Sequence, residues 1–126
     1  MTVGIASSAA DAILNLYRAT NITAPSQIFI KLHTGDPGAA GASNASAVTT
    51  RNQATWSAPS GNAIALSALA TWAMTASETI SHLSFWDASS GGNFLRSAAL
   101  SAGVAVVNGS TLQVTQLTVA VTPIAA

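Results

Sequence analysis

An alternating apolar segment that runs into a rigid turn most constrains what this chain can fold into. Residues 28–33, Ile-Phe-Ile-Lys-Leu-His, alternate between two faces, which is the period of a β-strand with one face on a core. The next four residues predict a turn, because proline fixes its own φ and disfavours a helical residue before it, while flanking glycines can supply positive φ. The turn comprises Gly35, Asp36, Pro37 and Gly38, and we expect Asp36 to accept backbone hydrogen bonds within it.

One segment near the N-terminus has the pattern of an amphipathic helix. Ser8 precedes Asp11 by three residues, as in a capping box, and apolar residues follow at helical spacing as far as Tyr17. The pattern predicts a helix over about residues 8–19.

The remainder of the chain predicts short strands, since Gly, Ser, Thr and Asn recur at short intervals. The strand candidates are residues 51–57, 63–70, 80–87, 93–101, 104–107 and 112–121. The glycine-rich residues 88–92 predict a reversal between two of these strands, and Asn108-Gly109 predicts a type I′ hairpin. The apolar phase shifts by one residue near Thr115-Gln116, which indicates a bulge or a break into two strands.

These elements indicate a mainly β fold in one domain over residues 1–126. A chain of 126 residues has the length of one ordinary domain, and 49% hydrophobic residues is enough for a core. We predict an antiparallel β-sandwich or small barrel of about seven to eight strands over about residues 27–122, with the single helix before it.

The charged fraction is unusually low and limits the classes of partner. Only 6% of the residues are charged, against roughly a quarter in an average soluble protein, and the formal net charge is zero. Nucleic acid is an unexpected partner, because phosphate binding requires a basic excess. A surface of this kind suits a protein that faces other subunits. The N-terminus lacks the basic residues of a secretory signal and no apolar run reaches the ~18 residues of a membrane helix, so we expect no membrane association.

A search for catalytic or ligand-binding patterns predicts neither an enzyme nor a cofactor. His33 and His82 lie on strand candidates near Asp36 and Asp87, but they lack close metal-ligand spacing, and outward-facing histidines are common at strand ends. Asp36 alone offers too few oxygen ligands for calcium. There is no Gly-x-Ser-x-Gly elbow, and no cysteine for a disulfide or thiolate metal site.

Contact residues are therefore the better candidates for function. Residues 39–50 consist almost wholly of small residues, which predicts a surface loop. Trp86 is out of phase with Leu83 and Phe85, so we expect it to face a neighbouring subunit or the helix instead of the main core. Some of the scarce charged residues are candidates for ion pairs that set strand or subunit register, with plain solvation as the alternative: Glu78, Lys31, Arg51 and Arg96. The candidate interface residues are Trp86, Trp56, Asn44 and Arg51.

Several segments resemble a family of small virion proteins from tailed bacteriophages, many with actinobacterial hosts, whose members are often labelled tail fibre protein. The resemblance extends over about residues 8–122, and residues 41–50 depart from it. Its most specific parts are the strand that ends in Leu-His-Thr-Gly-Asp-Pro-Gly and the hairpin that contains Phe-Trp-Asp. The similar segments are residues 10–18, 28–38, 50–51, 81–88, 92–95 and 106–112.

The resemblance implies a non-enzymatic structural component of the virion, made in the host cytoplasm. Fibres commonly contain heptads or repeats, and this chain has neither. Our leading hypothesis is therefore a capsid decoration or minor capsid protein that binds the major capsid protein. We expect self-association around a symmetry axis, for which a trimer is one arrangement. The first alternative is a tail fibre or tail-tip subunit that binds tail proteins and contacts the host. The second is a carbohydrate-binding β-sandwich with exposed tryptophans.

Overall fold

A computed structural model describes residues 3–68 and 70–121 of the protein. The predicted domain limit at about residue 122 lies outside the described residues. The described part contains one helix, α1 (Ser7–Tyr17), followed by eight strands. The strands are β1 (Ile28–His33), β2 (Asn52–Ala54), β3 (Ala63–Ala65), β4 (Ala70–Ala73), β5 (Glu78–Trp86), β6 (Phe94–Val106), β7 (Thr111–Val114) and β8 (Thr118–Ala120).

The strands form one larger sheet and two small ones. The larger sheet has the order β2-β1-β5-β6, while β3 pairs with β8 and β4 pairs with β7. All of these pairings are antiparallel. The prediction of a mainly β, antiparallel, sandwich-like fold with one N-terminal helix is therefore confirmed.

The main core joins the larger sheet to the segment around β4. Ile30 and Leu32 of β1 and Leu83 of β5 belong to the same buried cluster as Trp72 of β4 and the neighbouring Met74. The alternation along β1 explains this arrangement, because its even-numbered residues share one face of the pleated strand. Burial of these apolar side chains is the main source of stability, at about 25 cal/mol for each Å² removed from water.

The opposite face of the larger sheet is also covered, contrary to the expectation that His33 points outward. His33 is completely buried, and so is Ser84 on the adjacent strand β5. The β1–β2 loop, residues 34–51, contributes the cover, since the carbonyl of Ser43 contacts the His33 ring. Small residues allow this loop to lie close against the sheet, and the strand pattern alone contains no sign of such a cover.

Helix α1 forms where it was predicted, but its N-terminus is built differently. Ala6 is the N-cap and no side chain caps the helix. Ser8 lies inside the first turn, where its hydroxyl donates instead to the carbonyl of Phe94 at 3.5 Å. The predicted capping box is therefore wrong, because Ser8 is two positions beyond the N-cap at which a side chain can cap the first N–H groups.

The predicted hairpin at Asn108-Gly109 is also wrong, because β6 and β7 do not pair with each other. The turn exists, with the Ser110 N–H donating to the Val107 carbonyl at 3.0 Å. Only Gly109 in it has a positive φ, of 84°, whereas a type I′ turn needs two such residues. The chain instead passes from the larger sheet to the partner of β4. The predicted break near Thr115-Gln116 is confirmed, since β7 and β8 lie on either side of it.

Candidate functional site

The turn after β1 is held by its own side chains. The Asp36 carboxylate accepts the N–H of Gly38 at 2.8 Å, and the Asn44 amide donates to the Asp36 carbonyl at 2.9 Å. Gly38 has a φ of 73° and Asn44 one of 49°, values that suit glycine and asparagine better than other residues. Asp36 therefore closes the turn, and Asn44 ties the turn to the middle of the β1–β2 loop.

A directed hydrogen-bond chain links this loop to the larger sheet. His33 Nδ1 lies 2.8 Å from the Ser43 carbonyl oxygen, and because a carbonyl only accepts, Nδ1 carries the ring proton. His33 Nε2 then accepts the Ser84 hydroxyl proton at 2.7 Å. The Ser84 oxygen in turn accepts the indole N–H of Trp86 at 2.8 Å. Burial lowers the pKa of His33 below its ordinary value, which matches the neutral ring that this chain of bonds requires.

Trp86 lies at the end of this series of hydrogen bonds and is covered by other residues of the same polypeptide. The Arg51 guanidinium stands 3.7 Å over the indole ring, and the Phe94 ring lies 5.5 Å from it, centroid to centroid. Trp86 is 8% exposed and lies outside the main core cluster. Only a narrow edge of the ring can therefore contact a partner, because Arg51 and Phe94 of the same polypeptide cover the rest.

Arg51 fixes the β5–β6 turn, residues 87–93, as well as Trp86. One guanidinium nitrogen, Nη1, donates to the carbonyl of Ala88 at 3.0 Å and to that of Gly91 at 2.5 Å. The Asp87 carboxylate accepts the backbone N–H of Asn93 at 2.6 Å and its side-chain amide at 2.8 Å. These hydrogen bonds from Asn93 lower the pKa of Asp87. Arg51 was a candidate for an ion pair that sets strand or subunit register, and the structure shows its Nη1 hydrogen-bonded to two backbone carbonyls of its own chain.

The β1–β2 loop is anchored at two further points. Gly41 packs on Phe94 so closely that an added Cβ would lie 2.4 Å from the ring atom Cδ2. The Glu78 carboxylate accepts the Ser46 hydroxyl, and it also accepts the Ala47 N–H at 3.2 Å. The loop is consequently a defined surface that the sheet supports, and sequence alone could not show which residues hold it.

The tryptophans do not form the exposed platform that sugar binding would use. Trp72 is buried and donates its indole N–H to the Thr50 carbonyl at 3.0 Å. Trp56 is half-buried and lies against Phe85, with 6.1 Å between the ring centroids. Together with the covered ring of Trp86, this arrangement contradicts the expectation of exposed tryptophans for stacking on a sugar.

A shallow cleft of about 400 Å³ lies beside Trp86, between the start of α1 and the β1–β2 loop. It is lined in part by Ser7, Ser8, Ala39, Trp86 and Asn93. The cleft brings the helix, the loop and the β5–β6 turn to one side of the domain. Sequence analysis placed Trp86 against a neighbouring subunit or the helix and did not connect Asn93 with it.

The most unusual surface is the helix itself, because α1 buries none of its residues. We define its apolar face as Ile13, Leu14, Leu16 and Tyr17, whose side chains are 48, 57, 63 and 86% exposed. In the described part of the chain, seven of the ten exposed large hydrophobic residues lie between positions 3 and 22. Helical spacing predicted the face, but it could not show that these side chains stay largely exposed in the described part of the chain.

The two histidines lie side by side on the larger sheet but bond different partners. His33 and His82 are directly opposite each other on β1 and β5, yet His82 contacts the Ser81 hydroxyl through Nδ1 at 2.8 Å. Over residues 3–68 and 70–121, no three His, Asp or Glu side chains form a group that could hold a metal ion. The buried Ser84 and His33 do not resemble a catalytic triad, because a carbonyl and not a carboxylate orients the imidazole.

The fold and these surfaces define a compact β domain with supported loops and an exposed apolar helix, a construction suited to a subunit of a larger assembly. Residues 4–122 match the family described as podophage GP4 fiber I protein gp80, and the chain belongs to this family. It is therefore a phage structural protein that associates with other virion proteins. No curated protein has a significant match to the chain. None of the helices described here is long and apolar enough to cross a membrane.

Proposed function

We propose that this protein is a non-enzymatic subunit of the fibre-bearing part of a phage virion. The observation that carries the proposal is the concentration of exposed apolar side chains on and around α1, next to a domain with very few charges. Exposed apolar surface of this kind is stabilised when another protein covers it. Membership of a fibre protein family supports the location. Catalysis is not part of the proposal, since the Ser84 and His33 side chains are buried and oriented by a carbonyl.

A capsid decoration protein is the second candidate, and the compactness of the domain favours it. The described residues form one helix, one larger antiparallel sheet and two small ones, without the long helices or repeated units of extended fibre shafts. A compact domain can bridge capsid subunits as readily as it can form part of an appendage. The major capsid protein would then be the partner in place of tail proteins.

Copy number in purified particles separates the two candidates. Quantitative mass spectrometry would compare this protein with the major capsid protein and with a tail protein in the same particles. We expect a small number of copies that disappear when tails are removed. Hundreds of copies retained on tailless heads would instead establish decoration. Absence of the protein from washed particles would overturn both candidates.

A further inference from the structure

We propose that Asn108 is a site of spontaneous deamidation and that the turn containing it controls how fast this modification occurs. Asn108 is the one asparagine of the chain that precedes a glycine. Because glycine has no side chain, Gly109 does not obstruct the attack of its own backbone nitrogen on the preceding side-chain amide. The proposal goes beyond the virion role and does not rest on it, since it concerns the chemistry of a single turn.

The reaction needs water as its only co-reactant. The backbone nitrogen of Gly109 gives up its proton and attacks the side-chain carbon Cγ of Asn108, so that an N–Cγ bond forms. The Cγ–Nδ2 bond breaks, and ammonia leaves with that proton, which closes a succinimide ring. Water then adds to one of the two ring carbonyls and opens the ring to aspartate or isoaspartate. Either product adds a carboxylate to a chain whose formal net charge is zero.

The structure leaves the attacked group free and holds the attacking one. Asn108 is exposed, and in the described part of the chain its side-chain amide makes no hydrogen bond. The Gly109 N–H, by contrast, donates to the carbonyl of Met74 at 2.8 Å. Because the nitrogen must give up this proton, the hydrogen bond has to break before the attack. The succinimide nitrogen carries no proton, so the intermediate cannot make this bond either.

Further hydrogen bonds keep the turn closed around the attacking nitrogen. The N–H of Met74, a core residue that is 2% exposed, donates to the Ser110 carbonyl at 2.8 Å. The backbone N–H of Asn108 donates to the Ser77 hydroxyl at 3.1 Å, and the Ser110 hydroxyl donates to the Val107 carbonyl at 2.7 Å. The turn must therefore detach from the core before the nitrogen is released. A slow reaction of this kind proceeds in proportion to the population of the locally open state.

The rate of deamidation at Asn108 in the purified full chain tests the proposal. Peptide mapping by mass spectrometry would follow it in mildly alkaline buffer, for the folded protein and for the same protein unfolded in urea. We expect the folded protein to react at least about tenfold more slowly, which corresponds to about 1.4 kcal/mol, the scale of one hydrogen bond. Ser77→Ala and Ser110→Ala each remove a hydrogen bond of the closed turn. They should raise the folded rate by about three- to tenfold and leave the rate in urea unchanged.

A second variant distinguishes local opening of the turn from unfolding of the whole domain. Gly61→Ala strains a different turn, at a φ of 57°, and should leave the folded rate of deamidation as in the parent. Equal acceleration by Gly61→Ala and the serine variants would overturn control by the turn, as would serine variants that react at the parent's rate. Equal rates in the folded and unfolded parent would also overturn it, and an unfolded chain that keeps its Asn108 amide would overturn the site itself. Near-ultraviolet circular dichroism, which reports the tryptophans of the β domain, keeps an unfolded variant from being read as an open turn.

Discussion

His33 and Ser84 are joined across β1 and β5 by a buried hydrogen bond of 2.7 Å. The bond fixes the tautomer of the imidazole, because the Ser43 carbonyl on the other side of the ring accepts the Nδ1 proton. A protonated ring would carry a second N–H where the Ser84 hydroxyl now donates. The β1–β2 loop is thus held to the sheet by a contact that needs a neutral histidine.

We therefore expect stability to fall in mild acid. Burial is the main cause that lowers the pKa of His33 from its ordinary value of 6.5, and the positive charge of Lys31 acts in the same direction. Between the lowered pKa and 6.5, the unfolded chain binds a proton that the folded chain does not, so stability is fully present above pH 6.5 and is lost as the pH falls. The free energy of unfolding, measured with urea at pH 8, 7, 6 and 5, should therefore decrease as the pH falls below 6.5.

Replacing each histidine in turn distinguishes the contribution of His33 from that of His82, which lies opposite it on β5. His33→Gln should weaken the fold at pH 8 by about 1–3 kcal/mol, because buried partners lose their hydrogen bonds, and it should reduce the dependence of the unfolding free energy on pH. His82→Gln leaves the hydrogen bonds of His33 in place, so the free energy of unfolding should depend on pH as in the parent protein. A parent protein equally stable at pH 8 and pH 5 would contradict the expectation.

The second prediction concerns Arg51, whose planar guanidinium both covers Trp86 and bonds two carbonyls of the β5–β6 turn. Lysine keeps the charge but not the planar fork. We expect Arg51→Lys to lower the unfolding free energy by about 1–2 kcal/mol. Amide exchange in residues 91–93 should also become faster. Arg18→Lys is the control at an exposed arginine, and an equal loss in both variants would show that the Trp86 contact contributes nothing.

The third prediction compares two glycines of similar backbone geometry. Gly41 has a φ of 68° and Gly61 one of 57°, so alanine at either position is strained by about 1–2 kcal/mol. Gly41 in addition faces the Phe94 ring, whereas nothing lies within 4 Å of a Cβ at Gly61. Thermal and urea unfolding should therefore show a larger loss for Gly41→Ala, of about 2–4 kcal/mol. Similar losses would mean that Phe94 moves aside without cost.

These contacts show where sequence reasoning succeeds and where it stops. The alternation of Ile30 and Leu32 with their neighbours predicts β1, and a phase shift predicts the break between β7 and β8, because both depend on local periodicity. The burial of His33 depends on residues ten positions away in a loop of small side chains, which have no period. Sequence could not decide which sheet follows Asn108-Gly109 either, because one turn can join paired strands or connect two sheets.

The candidate contact surfaces were predicted less completely than the fold. Helical spacing identified α1, yet only the structure shows that the side chains of Leu16 and Tyr17 are mostly exposed. Trp86 was predicted to lie outside the main core, and it does. Its cover by Arg51 was not foreseen, because the two residues are 35 positions apart and cation–π pairs leave no periodic signal.

The last prediction concerns the C-terminus of α1, where Ala19, just after the C-cap Arg18, has a conformation that favours glycine. Ala19 has a φ of 53°, and its N–H donates to the Leu16 carbonyl while that of Thr20 donates to Asn15, at 3.2 and 3.0 Å. This is the Schellman arrangement, in which glycine is the usual residue at the left-handed position. Ala19→Gly should relieve the strain and stabilise the helix end by about 0.5–1 kcal/mol.

Because α1 buries no residue, the gain should appear in the helix and not in global unfolding. Circular dichroism at 222 nm and amide exchange of residues 17–20 would measure it at a fixed protein concentration. Ala12→Gly, in the middle of the same helix, is the matched control and should lower helicity, because glycine there costs about 0.5–1 kcal/mol relative to alanine. If both glycine variants lower helicity, the left-handed residue is not the strained point of the helix end.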